Sequence, residues 1–421
     1  MEQKKKNKIY IIDVTNRDGV QTAKLGLAKL EKTMINIMLN DMGIYQSEFG
    51  FPLTKHETNY INANLELADV GLLSPIILEG WSRAMAKDIE ESYKNTNIKH
   101  WNLSISTSKQ MIDGKFGGRI TRDFESKDKP SVLGLMADAV KAAKKHGALT
   151  IGVNAEDASR TDMEFLIKFA KYAKEHGADR IRYCDTLGYD DPFSIYERIK
   201  TLAEEVEIPI ELHCHNDLGL AVACSIAGAK GAINGGVDAY INTTLNGMGE
   251  RAGNADMVSV ILAIKKSSGF GGNYKLDDRI KLKKAWKIAK YASYAFGVPI
   301  PVNQVAVGEN AFAHESGIHA DGALKDRRNY ELYDFEELGR GEPEVIDTGR
   351  KITAGEYSGV KGFRNVYGKL EIEFKDDKEA AKVLDLVRYA NVHTQKPLTN
   401  DELKFIAHYP KQAKQIMTVI P

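Results

Sequence analysis

Short apolar runs, rich in β-branched residues, alternate with longer amphipathic segments along the N-terminal part of the chain. In the longer segments apolar residues recur at helical spacing, as in Ser131–His146 and in Met163–His176, which Gly177 is expected to end. The short runs predict eight strands: Ile9–Val14, Ile44–Glu48, Pro75–Leu78, His100–Ser106, Leu149–Asn154, Arg180–Cys184, Ile210–His215 and Ala239–Thr243. Eight strand–helix units within about 270 residues predict an α/β fold, a (β/α)8 or TIM barrel. Strand counting alone leaves a doubly wound open sheet as the alternative.

The positions of the polar residues distinguish these two folds. A barrel gathers its chemistry on the rim formed by the C-terminal strand ends, whereas an open sheet uses only the crevice where the strand order reverses. Polar side chains fall at or just past the ends of nearly all the predicted strands: Asp18, Glu48, Ser106, Asn154 with Glu156, Asp185 with Thr186, His213 with His215, and Asn246. This distribution favours the barrel.

The barrel is predicted to end near Gly269–Gly272, which divides the chain into three parts. Residues 1–272 would form the barrel, residues 273–365 a linker or lid subdomain, and residues 366–421 a small C-terminal helical segment. The expected elements after the barrel are a long amphipathic helix at Lys275–Tyr294, an extended stretch at Val298–Val307, and helices near Lys378–His393 and Thr399–His408.

Composition and charge narrow the functional class. Acidic and basic residues balance at 58 each, so the chain has no net field that would attract nucleic acid or acidic lipid. Its three cysteines, Cys184, Cys214 and Cys224, are too few for a disulfide framework and indicate a reducing compartment. The N-terminus lacks the apolar core of a signal peptide, and no apolar run approaches membrane-spanning length. We therefore expect a cytoplasmic protein that binds neither nucleic acid nor membranes.

The strongest chemical signal is the pair His213 and His215 at the end of the seventh predicted strand. Side chains two apart on a strand point to one face, so both imidazoles can reach a single metal ion, while Cys214 faces the opposite side. Asp18, beside Arg17 and directly after the first strand, would supply a carboxylate if the two strand ends meet. Such a set suits Mn²⁺, Co²⁺, Zn²⁺ or Fe²⁺ and polarises carbonyl compounds. A pair of hydrogen-bonded core histidines is the alternative.

Other motifs are weaker when taken one at a time. The turn of Arg17 and Asp18, with Gln21 close behind, is also compatible with an ordinary strand-to-helix connection. The glycine-rich run from Asn246 to Asn254 contains Glu250 and Arg251 and is either a ligand-binding loop or a flexible one. Three further positions have simple alternatives, a helix N-terminus for Glu156 and solvated loops for His314 and His319.

The order of these motifs identifies a family. They run Asp13-x-Thr15-x-Arg17-Asp18-Gly19-x-Gln21, Glu156-Asp157-Ala158-Ser159-Arg160, Asp185-Thr186-x-Gly188, His213-x-His215-Asn216-Asp217-x-Gly219, Gly249-Glu250-Arg251-x-Gly253-Asn254 and His314-Glu315-x-Gly317-Ile318-His319. The set closely resembles the metal-dependent acyltransferases of the homocitrate, 2-isopropylmalate and citramalate synthase family, within the DRE-TIM metallolyase superfamily. The resemblance covers roughly residues 8 to 340 and includes the downstream histidines, which related aldol lyases lack.

The resemblance implies a Claisen condensation of acetyl-CoA with a 2-oxo acid that releases CoA, an EC 2.3.3 activity. It assigns Asp18, His213 and His215 as metal ligands and Asn254 as a weaker metal contact. Mn²⁺ is the favoured ion, with Co²⁺, Zn²⁺ or Mg²⁺ as alternatives. In this family the downstream region reaches over the partner subunit's barrel, so a homodimer is implied.

Roles at the reacting groups follow from the same resemblance. The implied catalytic residues are Arg17, which would neutralise developing oxygen charge, Glu156 on the rim, and His319 with its partner Tyr330. The resemblance implies that Glu48 and Thr186 contact the 2-oxo acid. The other predicted substrate contacts are Gln21, Arg83, Asn154, Asn246, Glu250 and Arg251.

The 2-oxo acid is less sharply defined than the reaction. Asn16 and Val20 are similar to the variants of Re-type citrate synthases, which use oxaloacetate, and this interpretation is favoured. Homocitrate synthesis from 2-oxoglutarate is next, although Gly152 and Asn154 stand where lysine-pathway enzymes carry an arginine for the distal carboxylate. The candidates for that carboxylate are Arg83, Arg119, Arg122 and Arg182. Isopropylmalate or citramalate synthesis, a CoA-thioester aldol lyase and a non-catalytic binding protein are the remaining hypotheses.

Overall fold

Eight parallel strands close into a ring in the computed structural model, which describes residues 7–270, 274–344 and 348–421. The strands are β1 (Lys8–Asp13), β2 (Gln46–Gly50), β3 (Ile77–Arg83), β4 (His100–Ser106), β5 (Thr150–Glu156), β6 (Arg180–Asp185), β7 (Ile210–Cys214) and β8 (Ala239–Thr243). Each pairs with its sequence neighbour, and β1 pairs with both β8 and β2. Since Ile11 is in register with Ile241 and Ile12 with Gln46, the ring is closed, which confirms the predicted barrel and excludes an open sheet.

Helices surround this ring and continue after it. Those of the barrel are α1 (Lys29–Met42), α2 (Thr58–Asp69), α3 (Ala86–Asn95), α4 (Lys109–Phe116), α5 (Val132–Lys145), α6 (Met163–His176), α7 (Pro192–Val206), α8 (Ala221–Asn234) and α9 (Met257–Lys266). Those that follow are α10 (Ala285–Phe296), α11 (Gly317–Lys325), α12 (Val360–Lys369), α13 (Asp377–Thr394), α14 (Asn400–His408) and α15 (Pro410–Met417). None of the helices in the described residues is long and apolar enough to cross a membrane.

Alternation along the strands separates an apolar outer face from a polar interior. On β4, Trp101, Leu103 and Ile105 are buried in the apolar core that lies between the ring and its helices. Their neighbours on the same strand are polar, and Asn102 occupies the space beside Gly152 of β5, where an added Cβ would come within 2.7 Å of the amide nitrogen. The lumen therefore differs from the layers of branched aliphatic side chains common in TIM barrels.

Charged residues fill the middle of this lumen. Five buried residues form ion pairs there: Glu48 of β2, Glu79 of β3, Arg180 and Arg182 of β6, and Glu211 of β7. The pairs of Arg180 and Arg182 with Glu79, and of Arg182 with Glu48, link strands that are not neighbours in the sheet. Such pairs can form only across the inside of a closed ring. The sequence pattern did not predict this cluster, because each member alone looks like a polar residue in a strand.

Two predicted elements differ from the structure. Lys275–Leu276 is a short strand, β9, which pairs with the start of β1, and the helix predicted from Lys275 begins only at Ala285. Asp277 bonds the side chain of Arg279 in the loop that connects β9 to α10. The stretch Val298–Val307 forms turns, not a strand, since Pro299 and Pro301 lack donors for a ladder.

Smaller shifts affect β2 and β3. β2 lies two residues later than predicted, and β3 runs through Glu79, Trp81 and Arg83 instead of ending at Leu78. The predicted domain boundary at residue 272 falls outside the described residues. The two predicted C-terminal helices correspond to α13 and α14, and Lys396 after α13 binds Glu31 of α1 at 2.9 Å.

Candidate metal centre and active site

The turn after β1 brings Asp18 to the histidines of β7. Asp13 accepts hydrogen bonds from the amide and the hydroxyl of Thr15, which turns the chain directly after the strand. Asp18 Oδ2 then lies 3.0 Å from His213 Nε2 and 3.8 Å from His215 Nε2. The two Nε2 atoms are 3.3 Å apart, and all three residues are buried. The two strand ends thus meet as predicted, with a carboxylate and two imidazoles converging on one point.

Hydrogen bonds behind His213 determine which of its nitrogens faces this point. Asn242 donates its amide to Glu211 Oε1 at 2.6 Å, so its Oδ1 is left to accept from His213 Nδ1 at 3.0 Å. In the neutral imidazole, Nε2 then presents a lone pair toward Asp18. A lone pair, a carboxylate oxygen and a second imidazole at these distances suit a divalent cation with a hydrogen-bonded outer shell.

Asn254 supplies a further oxygen at the same place. It pairs with His215 through an antiparallel bridge, and its amide nitrogen bonds the carbonyl of Met248 at 3.2 Å. Among the described residues its Oδ1 has no hydrogen-bond partner although it is buried, which fits the predicted weaker metal contact. Gly249 allows this approach, because a Cβ there would lie 2.0 Å from the Asn254 amide.

The electrostatics favour metal-binding protonation states at Asp18 and His215. Burial opposes ionisation of Asp18, but the charge of Arg17 and the two histidines hold its pKa well below its ordinary value. Burial and the neighbouring His213 lower the pKa of His215 to about 4. Near neutral pH the carboxylate is therefore charged and the His215 imidazole is free of the proton that would block it.

Arg17 is fixed beside this cluster. Its Nε bonds the buried carboxylate of Glu48, one terminal nitrogen lies 3.4 Å from Asp18 Oδ1, and its guanidinium sits 5.5 Å from the centre of the Trp81 ring. Burial opposes ionisation of Glu48, but the charges of Arg17 and Arg182 lower its pKa. Arg17 is thus a held positive charge next to the candidate metal ligands.

A cavity of about 270 Å³ opens over these groups at the C-terminal rim of the barrel. Ten of the residues singled out from the sequence line it: Arg17, Asp18, Gln21, Asn154, Glu156, Thr186, His213, His215, Glu250 and Arg251. Three further lining residues, Trp81, Ser104 and Cys184, were not proposed as site residues. Their inward register on β3, β4 and β6 was a signal that could have found them.

The side chains on the cavity wall are held by specific partners. Glu156 pairs with Lys115 of α4 at 2.6 Å, and Asn154 accepts from the Cys184 thiol at 2.7 Å. Arg251 pairs with Asp217 at 2.8 Å, and it also donates to the carbonyl of Thr186 at 2.5 Å. These contacts orient the polar groups that a bound acid would meet.

Three predicted substrate contacts lie outside the cavity lining. Glu48 is fully buried behind Arg17. Arg83 pairs with Asp88 at 2.6 Å and lines a neighbouring cavity of about 760 Å³, which shares Glu156 with the lining of the site. Asn246, in the left-handed region with φ 55°, donates to the carbonyl of Ala289 at 3.0 Å and so anchors α10.

The other arginines considered for a distal carboxylate are engaged elsewhere. Arg182 is buried in the lumen, Arg122 pairs with Asp162 at 2.5 Å, and Arg119 donates to the carbonyl of Phe116 at 2.9 Å. None of the three lines the cavity.

His319 and Tyr330 lie together, away from the cavity lining of their own chain. Their rings stack with centroids 4.2 Å apart, and both side chains are exposed. The nearby His314 contacts Glu331 at 3.2 Å. The structure thus brings the predicted histidine and tyrosine to each other but not to the metal-ligand cluster of the same chain.

Fold and site together define a TIM barrel with a candidate two-histidine, one-carboxylate centre on its C-terminal rim. The HMGL-like family model matches residues 8–291, and a second model, homocitrate synthase post-HMGL domain-like, matches residues 306–394. The chain belongs to the HMGL-like family, which confirms the resemblance found in its motifs.

Relatives of this chain include three named synthases. It is 60% identical to a Citrate (Re)-synthase of Dehalococcoides mccartyi, over 98% of this chain and 99% of that protein. Identity is 40% to 2-isopropylmalate synthase 2 of Caldanaerobacter subterraneus (96% and 97% covered) and 34% to homocitrate synthase 1 of Nostoc (94% and 96% covered). Among solved structures, an HMG-CoA lyase from Acenitobacter baumannii in complex with coenzyme A and 3-methylmalate shares the fold. Its TM-score is 0.54 at 16% identity, over 73% of this chain and 98% of that one.

Proposed function

We propose that this protein is a citrate synthase of the Re type, which condenses acetyl-CoA with oxaloacetate to give citrate and CoA. The observation that carries the proposal is the 60% identity to a Citrate (Re)-synthase over nearly the full length of both chains. The homocitrate synthase relative is more distant at 34% identity. The protein is accordingly an acyltransferase of the EC 2.3.3 class.

The metal-ligand cluster supports a carbonyl electrophile at the rim. Asp18, His213 and His215 would hold a divalent ion, with Asn254 as a further contact and Mn²⁺ as the favoured metal. When bound, such an ion polarises a carbonyl and orients the 2-oxo acid. Arg17, fixed by Glu48, places a positive charge where the carbonyl oxygen of the acid gains negative charge.

The reaction itself needs one proton removed and one carbon–carbon bond formed. A base takes a proton from the methyl group of acetyl-CoA, and the resulting carbanion attacks C2 of oxaloacetate, whose carbonyl oxygen becomes a hydroxyl after protonation. Water then cleaves the thioester and releases CoA. We assign the proton transfer to His319, with Tyr330 stacked on it, because an imidazole exchanges protons near neutral pH. Glu156, paired with Lys115, lies on the cavity wall and can assist a proton transfer there.

Since His319 and Tyr330 do not line the cavity of their own chain, the complete site would need a second copy. The segment around them exposes large apolar side chains, with Ile318 75%, Leu324 88% and Leu332 72% exposed. Beyond β6 and β7 the barrel rim exposes Tyr189, Phe193 and Leu218. A homodimer in which the segment of residues 314–332 covers the partner's rim would bury both patches and complete each site. We also expect the protein to act in the cytoplasm, where its cysteines stay reduced.

The test is CoA thiol release from acetyl-CoA with Mn²⁺ under anaerobic conditions, with oxaloacetate, 2-oxoglutarate, pyruvate and 2-oxoisovalerate in parallel. Release with oxaloacetate alone is the expected result. Release with 2-oxoglutarate instead would assign a homocitrate synthase, which the match to the homocitrate synthase post-HMGL domain makes the second candidate. Production of acetyl-CoA from a hydroxyacyl thioester would assign a lyase.

The face of attack is a separate readout. Citrate made from acetyl-CoA labelled in the acetyl group is cleaved with a stereospecific citrate lyase that releases, as acetate, the arm added by Si-type enzymes. For attack on the Re face the label is expected in oxaloacetate. Label in acetate would contradict the proposed stereochemistry while leaving the condensation itself intact.

A further inference from the structure

Arg182 occupies the centre of the charged lumen. Its terminal NH2 nitrogen lies 2.5 Å from Glu48 Oε2, 2.6 Å from Glu211 Oε1 and 3.4 Å from Glu79 Oε2, and its Nε donates to Glu211 Oε1 at 2.7 Å. The side chain has no solvent exposure, and neither have those of its three carboxylate partners. One guanidinium on β6 therefore contacts carboxylates from three other strands, β2, β3 and β7.

Two of these carboxylates connect Arg182 to residues of the candidate active site. Glu48 bonds Arg17, the positive charge beside the cavity. Glu211 accepts from Asn242 at 2.6 Å, and Asn242 in turn accepts from His213, a candidate metal ligand, at 3.0 Å. Arg182 thus contacts the first member of two chains of contacts, one that runs through Glu48 to Arg17 and one that runs through Glu211 and Asn242 to His213. We call these two chains the branches.

Stability alone does not account for such a residue. Buried ion pairs cost desolvation that their attraction offsets only in part, and apolar replacements are often as stable. A buried guanidinium in contact with three carboxylates at once instead constrains where those carboxylates lie. We propose that Arg182 is a positioning residue that sets Arg17 and His213 relative to each other, through Glu48 on one side and through Glu211 and Asn242 on the other.

Arg180 provides a matched control on the same strand. It is as deeply buried, it bonds Glu211 Oε2 at 2.8 Å and Glu79 Oε1 at 2.6 Å, and it faces the same lumen. Its contacts include neither Glu48 nor Arg17. Replacing either arginine by lysine keeps the charge, so the two variants share a structural cost and differ in the link to Arg17.

The experiment compares Arg182→Lys with Arg180→Lys in the full chain. The KM for oxaloacetate and the Mn²⁺ affinity of the metal-free protein, measured by electron paramagnetic resonance titration, are the readouts, with thermal unfolding as the measure of structural cost. Arg182→Lys is expected to raise the KM and to weaken Mn²⁺ binding by about 10-fold or more, as for other outer-shell partners, while Arg180→Lys changes the KM by less than about threefold. Equal effects of the two variants on KM at equal thermal stability would overturn the proposal.

Single-branch variants keep the proposal testable should Arg182→Lys fail to fold. Glu48→Gln is expected to raise the KM and leave Mn²⁺ affinity unchanged, and Asn242→Ala to weaken Mn²⁺ binding. With Mn²⁺ saturating for every variant, adding Arg182→Lys to Glu48→Gln should raise the KM no further, because Arg182 acts on Arg17 only through Glu48. Fully additive losses would contradict the relay. The KM readout rests on the proposed function, whereas Mn²⁺ binding does not, so an inactive parent protein would refute that function and still leave the metal branch testable.

Discussion

His213 and His215 present their Nε2 atoms to each other at 3.3 Å. Two imidazole nitrogens this close, with the Asp18 carboxylate 3.0 Å from one of them, repel each other unless a cation or a proton lies between them. Burial and the neighbouring His213 lower the pKa of His215 to about 4, so His215 is a neutral imidazole near neutral pH, and a divalent cation between the two nitrogens and the carboxylate fits this arrangement.

His213→Ala should abolish metal binding and turnover together, because it removes one of three buried candidate ligands. Metal content after purification and CoA release measure the two effects. His100→Asn is the matched control, since His100 is a barrel histidine bonded to Thr150 at 2.8 Å and lies outside the cavity lining. Unchanged metal content in His213→Ala would refute the ligand assignment.

Arg17→Ala should keep its metal and lose most of its rate. One preorganised charge donor at a developing oxyanion is worth about 3–4 kcal/mol, or 10²–10³ in rate. Single-turnover CoA release, with metal content measured on the same sample, separates the two properties. A rate within about threefold of the parent would exclude this role for Arg17.

His319→Ala should bind metal and oxaloacetate normally and yet fail to activate acetyl-CoA. The measurement is exchange of the acetyl methyl protons with deuterated solvent, which reports proton removal without condensation. His314→Ala, in the same segment, serves as control because His314 is occupied by Glu331. Methyl exchange that continues in His319→Ala would assign the base to another residue.

A mixture of His213→Ala and His319→Ala chains tests whether the site is shared between subunits. Each variant alone should be inactive. After subunit exchange, mixed dimers would contain one site with both wild-type residues, so roughly a quarter of the sites should recover activity. No recovery, despite exchange demonstrated with differently tagged chains, would place His319 and His213 in the same subunit's site.

Glu79→Gln should change how stability depends on pH. Burial raises the pKa of Glu79 to about 8, against the charge of Arg180. The folded protein thus keeps a proton that the unfolded chain releases, so this group's contribution to stability is complete below its ordinary pKa of 4.5 and is lost as the pH rises through 8. Relative to the parent, the variant should gain stability with a slope of up to about 1.4 kcal/mol per pH unit in that window.

Urea unfolding between about pH 5 and pH 8 measures this difference. Glu211→Gln is the control, because burial of Glu211 is outweighed by Arg182 and Arg180, which lower its pKa to about 2. That variant should show no such slope in the same window. Parallel stability curves for Glu79→Gln and the parent would show that Glu79 is ionised in the folded protein.

The fold could be predicted because its signals are local. Apolar alternation, as along Trp101, Leu103 and Ile105, defines strands whose outer faces need helices, and the number of units then defines the ring. The start of α10 could not be predicted in this way, because the pairing of Lys275 with Lys8 is a contact between the two ends of the barrel segment. Hydrophobic periodicity carries no information on such a partner.

The same distinction between local signals and contacts of distant residues applies to the site. Asp18, His213 and His215 could be found because each directly follows or ends a strand, and a barrel brings such positions together. The role of Arg182 could not, since an arginine in a strand can equally face a substrate or a carboxylate, and its partner Glu79 is 103 residues away in the chain. Only the closed barrel shows that Arg182 contacts carboxylates of the protein itself.

The charged lumen also affects whether the two halves of the barrel can be stable separately. Arg182 belongs to the second half of the barrel, whereas its partners Glu48 and Glu79 belong to the first, so separating the halves would remove these contacts. An isolated half-barrel would have to solvate Arg182 and Glu48 or bury them with fewer partners, and burying an ion without full pairing costs several kcal/mol. The eight strands are therefore expected to fold as a single cooperative unit, with no stable half-barrel on the way.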